Sequence, residues 1–140
     1  MTREYKSFYD VLREYINSYE GEYEKIVDYS PDIFKLLADI LNEKIIGAEM
    51  RLKIGAALGY FVAPFDIIPE ATAGPNGYID DIFICMHVIK EIAEKIGYES
   101  LEDLWEGEGD LKDGVDICYN RSKEILGDKT DLILSYVGLK

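Results

Sequence analysis

The stretch that decides the fold runs from residue 60 to residue 81 and reads "YFVAPFDIIPEATAGPNGYIDD". Three of the chain's four prolines fall in it, together with Asp66, Asp80 and Asp81. Proline fixes φ and carries no amide hydrogen, so Pro64 and Pro69 clamp the residues "FDII" between them. The residue before a proline avoids the helical region, so a helix entering from the left ends at about Ala63. Gly74, Pro75, Asn76 and Gly77 supply the turn chemistry that returns the chain. Asp80 or Asp81 then stands at the start of a new helix, where exposed N–H groups favour an anion. The stretch is the corner of a helix–loop–helix hairpin.

Upstream of the corner, a helix is expected from about Ile46 to Ala63. Its small residues Gly47, Ala48, Gly55, Ala56, Ala57 and Gly59 admit a close neighbour, which predicts a buried central helix. The uninterrupted apolar run from Ile54 to Ala63 is too short to cross a bilayer, which takes about 20 apolar residues. Downstream, "IDDIFICMHVIKEIAEKIG" predicts a long helix from Ile79 to Ile96 with Gly97 as its stop. Farther out, "YSPDIFKLLADILNE" predicts a helix with Ser30 as N-cap and Pro31 at the first helical position. Residues 3 to 19 carry Tyr5, Phe8, Tyr9, Leu12, Tyr15, Ile16 and Tyr19 on one helical stripe, a packing face or a docking surface.

On the C-terminal side, "SLEDLWEG" reads as a short helix with Ser100 at the N-cap and Asp103 three residues on. "DLKDGVDICYNRSKEIL" reads as a longer one, flawed by Gly114 and closed by Gly127. The tail is expected to add a last helix docked through Leu132, Ile133, Tyr136 and Val137. Nothing alternates with period two for long. The expected fold is all-α: one domain over residues 1–140, a compact bundle of roughly five to seven helices around the central hairpin, whose core spans about residues 46–96.

Composition narrows the function. At 140 residues the chain has the length of one ordinary domain. Its 15 basic and 28 acidic residues give a net charge of −13. A field of that sign repels phosphate backbones, so nucleic acid is not an expected partner, and it opposes adsorption to anionic lipid. Cys85 and Cys118 have no metal-like spacing and read as reduced, buried thiols. With charge from its first residues and no apolar leader, the chain is expected in the cytoplasm.

The motif itself resembles the YkvA-like family, a domain of unknown function found in bacteria and archaea. The matching positions are Tyr60, Pro64, Asp66, Ile67, Ile68, Pro69, Glu70, Gly77, Tyr78, Ile79, Asp80 and Asp81, within a resemblance that covers about residues 50 to 90. Glu70 stands where Asp is commoner, which keeps a carboxylate but lengthens its reach. The resemblance implies a helix–loop–helix hairpin and no established activity. Tyr60, Pro64, Pro69 and Gly77 are its structural framework.

Two uses of the carboxylates follow. In the first they are structural: Asp66 caps its turn, one aspartate of the pair caps the following helix, and the other takes a salt bridge from Arg51 or Lys53. In the second, Asp66, Glu70, Asp80 and Asp81 gather oxygen ligands for a hard divalent cation, Mg²⁺ or Ca²⁺ in preference to Zn²⁺. His87, the sole histidine, shares a helix face with Asp80 and Glu91 and extends that set. Asp81 lies toward the opposite side, near Cys85 and Val88, where a side chain points inward. No serine sits in a nucleophile elbow, and "GPNG" lacks the Lys-Ser/Thr of a phosphate loop. The expected function is therefore non-catalytic binding or scaffolding, through a protein partner or a second copy. The alternatives are a divalent-cation-binding module or metal-dependent enzyme using the loop carboxylates, and peripheral membrane association through the apolar hairpin.

Overall fold

The computed structural model describes residues 29–44, 46–62, 79–136 and 138–139. Among the described residues all regular structure is helical: α1 (Ser30–Leu41), α2 (Ala48–Val62), α3 (Ile79–Ile96), α4 (Tyr98–Glu102), α5 (Leu111–Leu126) and α6 (Lys129–Tyr136). The tyrosine-striped segment 3–19 and the proline-rich loop, with Pro64, Asp66, Pro69, Glu70 and Gly77, lie outside them.

The centre of the bundle is α3. From Ile79 to Ala93 it is buried almost all round, because α5 and α2 flank it, α1 packs across it, and α4 and α6 close on its remaining surface. Ile82, Phe83, Ile84, Cys85, Met86, Val88 and Ile89 leave at most 1% of their surface exposed. Burying one such side chain contributes about 1.5–3 kcal/mol, which makes α3 the main source of apolar stabilisation. Against α5, the ring of Phe83 stacks on Tyr119 with centroids 5.6 Å apart, and Lys90 reaches Asp116 at 3.3 Å.

α2 takes the opposite character from the one its small residues predict. Met50, Ile54 and Ala57, spaced four and three residues apart, form its buried stripe. Ala48, Leu52, Gly55 and Gly59 face outward, and Leu52 is 76% exposed. Most of the small residues thus lie on an outer face, with Ala57 alone of them buried, and the central helix is α3, since apolar bulk rather than smallness decides which face the core takes. Among the described residues, no helix is long and apolar enough to cross a membrane.

Helix ends are set by glycine and by distant side chains more than by local caps. Gly97 (φ +83°) alone joins α3 to α4, and Gly127 (φ +58°) closes α5; both conformations suit a residue without Cβ. Ser30 is not the N-cap of α1; Tyr29 is, and the Ser30 side chain is buried inside the first turn. Ser100 likewise sits within α4 and gives its hydroxyl hydrogen to the Ile96 carbonyl, while Asp103 ends the helix instead of opening it. The α5 N-terminus is served from outside: Glu102 Oε1 accepts the Leu111 amide at 2.6 Å. That charged contact also fastens α4 to α5.

Gly114, in the second turn of α5, does not break the helix. It faces Tyr29, and a Cβ there would meet that ring at 3.4 Å, ordinary contact distance. Tyr29 in turn stacks on Trp105 with centroids 6.2 Å apart, and the indole N–H donates to the Gly109 carbonyl at 3.2 Å. A Cβ at Gly107 would overlap the same indole. Lys35 of α1 completes this seam by pairing with Asp39 at 2.7 Å and with Glu106. In α6, Ile133 is buried as predicted, but Leu134 joins it in place of Leu132, which is 58% exposed; the side chains of Tyr136 and Val137 lie outside the described residues.

Candidate functional site

Asp80 and Asp81 open α3, and each leaves 0% of its surface exposed. A helix N-terminus favours carboxylates there, because its first N–H groups lack intrahelical acceptors. Asp80 Oδ1 accepts the Asp81 amide at 3.1 Å. Both residues take part in interactions inside the fold. Adjacent residues on a helix project about 100° apart, so the two side chains diverge. Asp81 shares its face with Cys85, one turn on. Burial first, and the Asp81 charge second, push the Cys85 thiol well above its ordinary range. Asp81 therefore points inward, as its position on the helix predicts, and Asp80 is equally enclosed.

The cations expected to answer the pair go elsewhere. Arg51 turns back to the end of α1: Nε donates to the Ile46 carbonyl at 3.1 Å, one terminal nitrogen to Glu43 at 2.9 Å and the other to Leu41. The last carbonyls of a helix have no intrahelical donor, and a guanidinium supplies several at once. Lys53 crosses to α3 and meets Glu91 Oε2 at 2.5 Å, with Glu49 of its own helix at 3.7 Å. The Glu91 hydrogen bond is the main cause of a raised Lys53 pKa.

His87 joins this second group. Its Nε2 lies 2.8 Å from Glu91 Oε1, the i,i+4 contact that its spacing predicts. All three side chains of the chain Lys53–Glu91–His87 are about a quarter exposed. Asp80 stands two turns away, about 10.5 Å along the axis at 1.5 Å per residue, so it shares a face with His87 but not a ligand shell. Among the described residues, no three His, Cys, Asp or Glu side chains lie together as a metal would need. Asp66 and Glu70, the other proposed ligands, fall outside the described residues.

Cys118 on α5 is buried too, and desolvation pushes its thiol up to about 12. Both cysteines are free, protonated and enclosed, which makes them packing residues and poor nucleophiles. Sequence reasoning missed the Arg51 clasp and the Lys53–Glu91–His87 chain as units. The spacing of Lys53 from Glu49 and of His87 from Glu91 signals each half, but nothing in one sequence shows that two helices bring the halves together.

Residues 50–86 match a family described as "Protein of unknown function (DUF1232)". Over 129 residues the chain is 42% identical to "Uncharacterized protein ORF9" of Methanothermobacter thermautotrophicus, an alignment covering 92% of this chain and 88% of that protein. The chain belongs to the family of that archaeal protein. No solved structure matches it. The DUF1232 segment begins at Met50 in α2, takes in Arg51, Lys53, Asp80 and Asp81, and ends in α3 one residue short of His87. It covers nearly all of α2 and the first half of α3, the element on which the rest of the bundle is assembled.

Proposed function

We propose that this chain is a non-catalytic binding or scaffolding domain, the YkvA-like form of its family, in which the Asp80–Asp81 pair is a structural clasp. The observation that carries this reading is the complete burial of both carboxylates in the first turn of the central helix. A general acid, a nucleophile or a docking group must come within about 3 Å of its substrate. Two enclosed side chains that diverge by a third of a turn suit the anchoring of a helix start better than the coordination of one ion. The other charged groups of α2, Glu49, Arg51 and Lys53, are committed to each other, to Glu91 of α3 or to the carbonyls at the end of α1. Binding is then the property of the surface, through a protein partner or a second copy.

The test is thermal unfolding of chelator-stripped protein with and without Mg²⁺, Ca²⁺, Mn²⁺ and Zn²⁺ at constant ionic strength. Asp80→Asn and Asp81→Asn run alongside. The clasp reading expects each variant to lose about 1–3 kcal/mol, the cost of disturbing a buried polar partner, with no ion-specific gain in the parent protein. A rise in Tm specific to one ion, and abolished in both variants, would replace the clasp with a cation site. Such a gain reaches about 2.7 kcal/mol at one hundred times the dissociation constant.

A further inference from the structure

Away from the aspartate pair, α1 and α3 end side by side, α1 at Leu41 and α3 at Ile96. Between these ends opens a cleft of about 210 Å³. Its floor is apolar and belongs to the core: Ile40, Ile46 and Leu101 are 0%, 5% and 1% exposed. Its rim carries the exposed carboxylates of Glu43 and Asp103. Among the described residues neither carboxylate has a hydrogen bond or an ion pair, in contrast to Asp39, Glu91, Glu102 and Asp116. The Arg51 guanidinium is engaged with the Leu41, Glu43 and Ile46 carbonyls, so the opening sets two unpaired carboxylates against that one positive charge. Lys44, next in the turn, lines no part of it.

Size and chemistry select the occupant. Drug-sized ligands fill pockets of about 300–1,000 Å³, so this smaller cleft suits a single long side chain. An apolar floor beneath a negative rim is complementary to lysine, which buries its methylene stem and keeps its ammonium at the water boundary. The net charge of −13 draws basic segments toward the whole surface before any specific contact forms.

We propose that this cleft binds a lysine side chain of a basic partner segment, the stem on Ile40, Ile46 and Leu101 and the ammonium at the Glu43–Asp103 rim. The proposal gives the binding role argued above a surface and a partner chemistry, and rests on that role. The probe is a capped alanine pentapeptide with lysine at its centre, titrated into ¹⁵N-labelled full-length protein. Its counterpart carries norleucine, which keeps the stem and removes the charge. The lysine peptide is expected to shift the amides of Ile46, Leu101 and Leu104 in a saturable way and to bind more tightly than the norleucine peptide. The double variant Glu43→Gln/Asp103→Asn, both sites being exposed, is expected to keep the parent Tm and to weaken lysine-peptide binding about tenfold, or ~1.4 kcal/mol for two exposed pairs. Equal binding of the two peptides, an unchanged affinity in the double variant, or the absence of saturable shifts at these residues would each overturn the proposal. An ion-specific gain in Tm would overturn the clasp without moving these amides, so the two ideas fail separately.

Discussion

Replacing Arg51 with methionine removes three donors and keeps most of the aliphatic stem. In the parent protein the guanidinium serves the carbonyls of Leu41, Glu43 and Ile46, which gather at the turn between α1 and α2. The bond to Glu43 is exposed, and water replaces it at little cost. The bonds to Leu41 and Ile46 are partly buried, and losing each costs about 1 kcal/mol, near the middle of the range for intramolecular hydrogen bonds. The expected loss is therefore about 2 kcal/mol. For a domain of this size that lowers Tm by roughly 8 °C, at about 4 °C per kcal/mol. Circular dichroism melts at fixed ionic strength provide the measurement. Lys112→Met, at an exposed position without an ion pair among the described residues, controls for the loss of one positive charge from an acidic chain. Arg51→Lys should recover less than half, because one ammonium cannot serve three diverging carbonyls. A Tm for Arg51→Met within about 1 °C of the control would refute the reasoning and show that water satisfies these carbonyls equally well.

Other outcomes follow from packing and titration. Ile54→Ala should cost about 2–5 kcal/mol, whereas Leu52→Ser, two residues away on the outer face of α2, should stay within about 0.5 kcal/mol; urea melts of the pair check which face is inward. Gly114→Ala should raise Tm by a few degrees, because helix propensity gains about 1 kcal/mol and the new methyl meets Tyr29 only at contact distance. Gly127→Ala should lower Tm, because its φ of +58° strains any residue with a Cβ. The thiols predict alkaline sensitivity. Folding holds the Cys118 proton up to about 12 against an ordinary 9.0, so the native state binds more protons in that window and stability falls as pH rises through it. The slope near pH 9.0 is half of the full ~1.4 kcal/mol per pH unit and steepens above it, and Cys118→Ala should remove that contribution in melts taken just above pH 9.0, before lysines titrate.

The sequence is explicit about some parts of this fold and silent about others for physical reasons. The limits of α3 are legible because an unbroken apolar periodicity runs into Gly97, and a helix stop of that kind is a backbone property of one residue. Gly127 marks the end of α5 in the same way. The serine caps are not legible. Ser30 and Ser100 are good N-cap types, yet a cap forms only where the hydroxyl reaches an amide, and here one side chain is buried and the other bonds backward to Ile96. The inward stripe of α2 is legible only when bulk outweighs smallness, since Gly55 and Gly59 suit a tight interface and an open face equally. In α6 the choice between Leu132 and Leu134 turns on a 100° rotation that eight residues hardly constrain. For the candidate site, the inward aim of Asp81 follows from helical spacing, whereas the enclosure of Asp80 depends on the elements that surround α3. The destinations of Arg51 and Lys53 are contests between nearby acceptors. Such contests are decided by distances in space, which a single sequence does not contain.

The lone tryptophan has a spectroscopic consequence. Trp105 sits where the start of α1, the loop after α4 and the second turn of α5 converge, held by the Tyr29 stack and the Gly109 carbonyl. Indole emission in this protein is therefore a local gauge of that seam, while far-ultraviolet dichroism averages over every helix. Concerted unfolding superimposes the two traces. A loop that releases before the α2–α3–α5 core turns the emission first, and the interval between the traces measures how far that corner melts as a unit of its own. Leu104, the neighbour of this indole, lines the cleft at the ends of α1 and α3, so the same native fluorophore offers an optical readout there without any attached label.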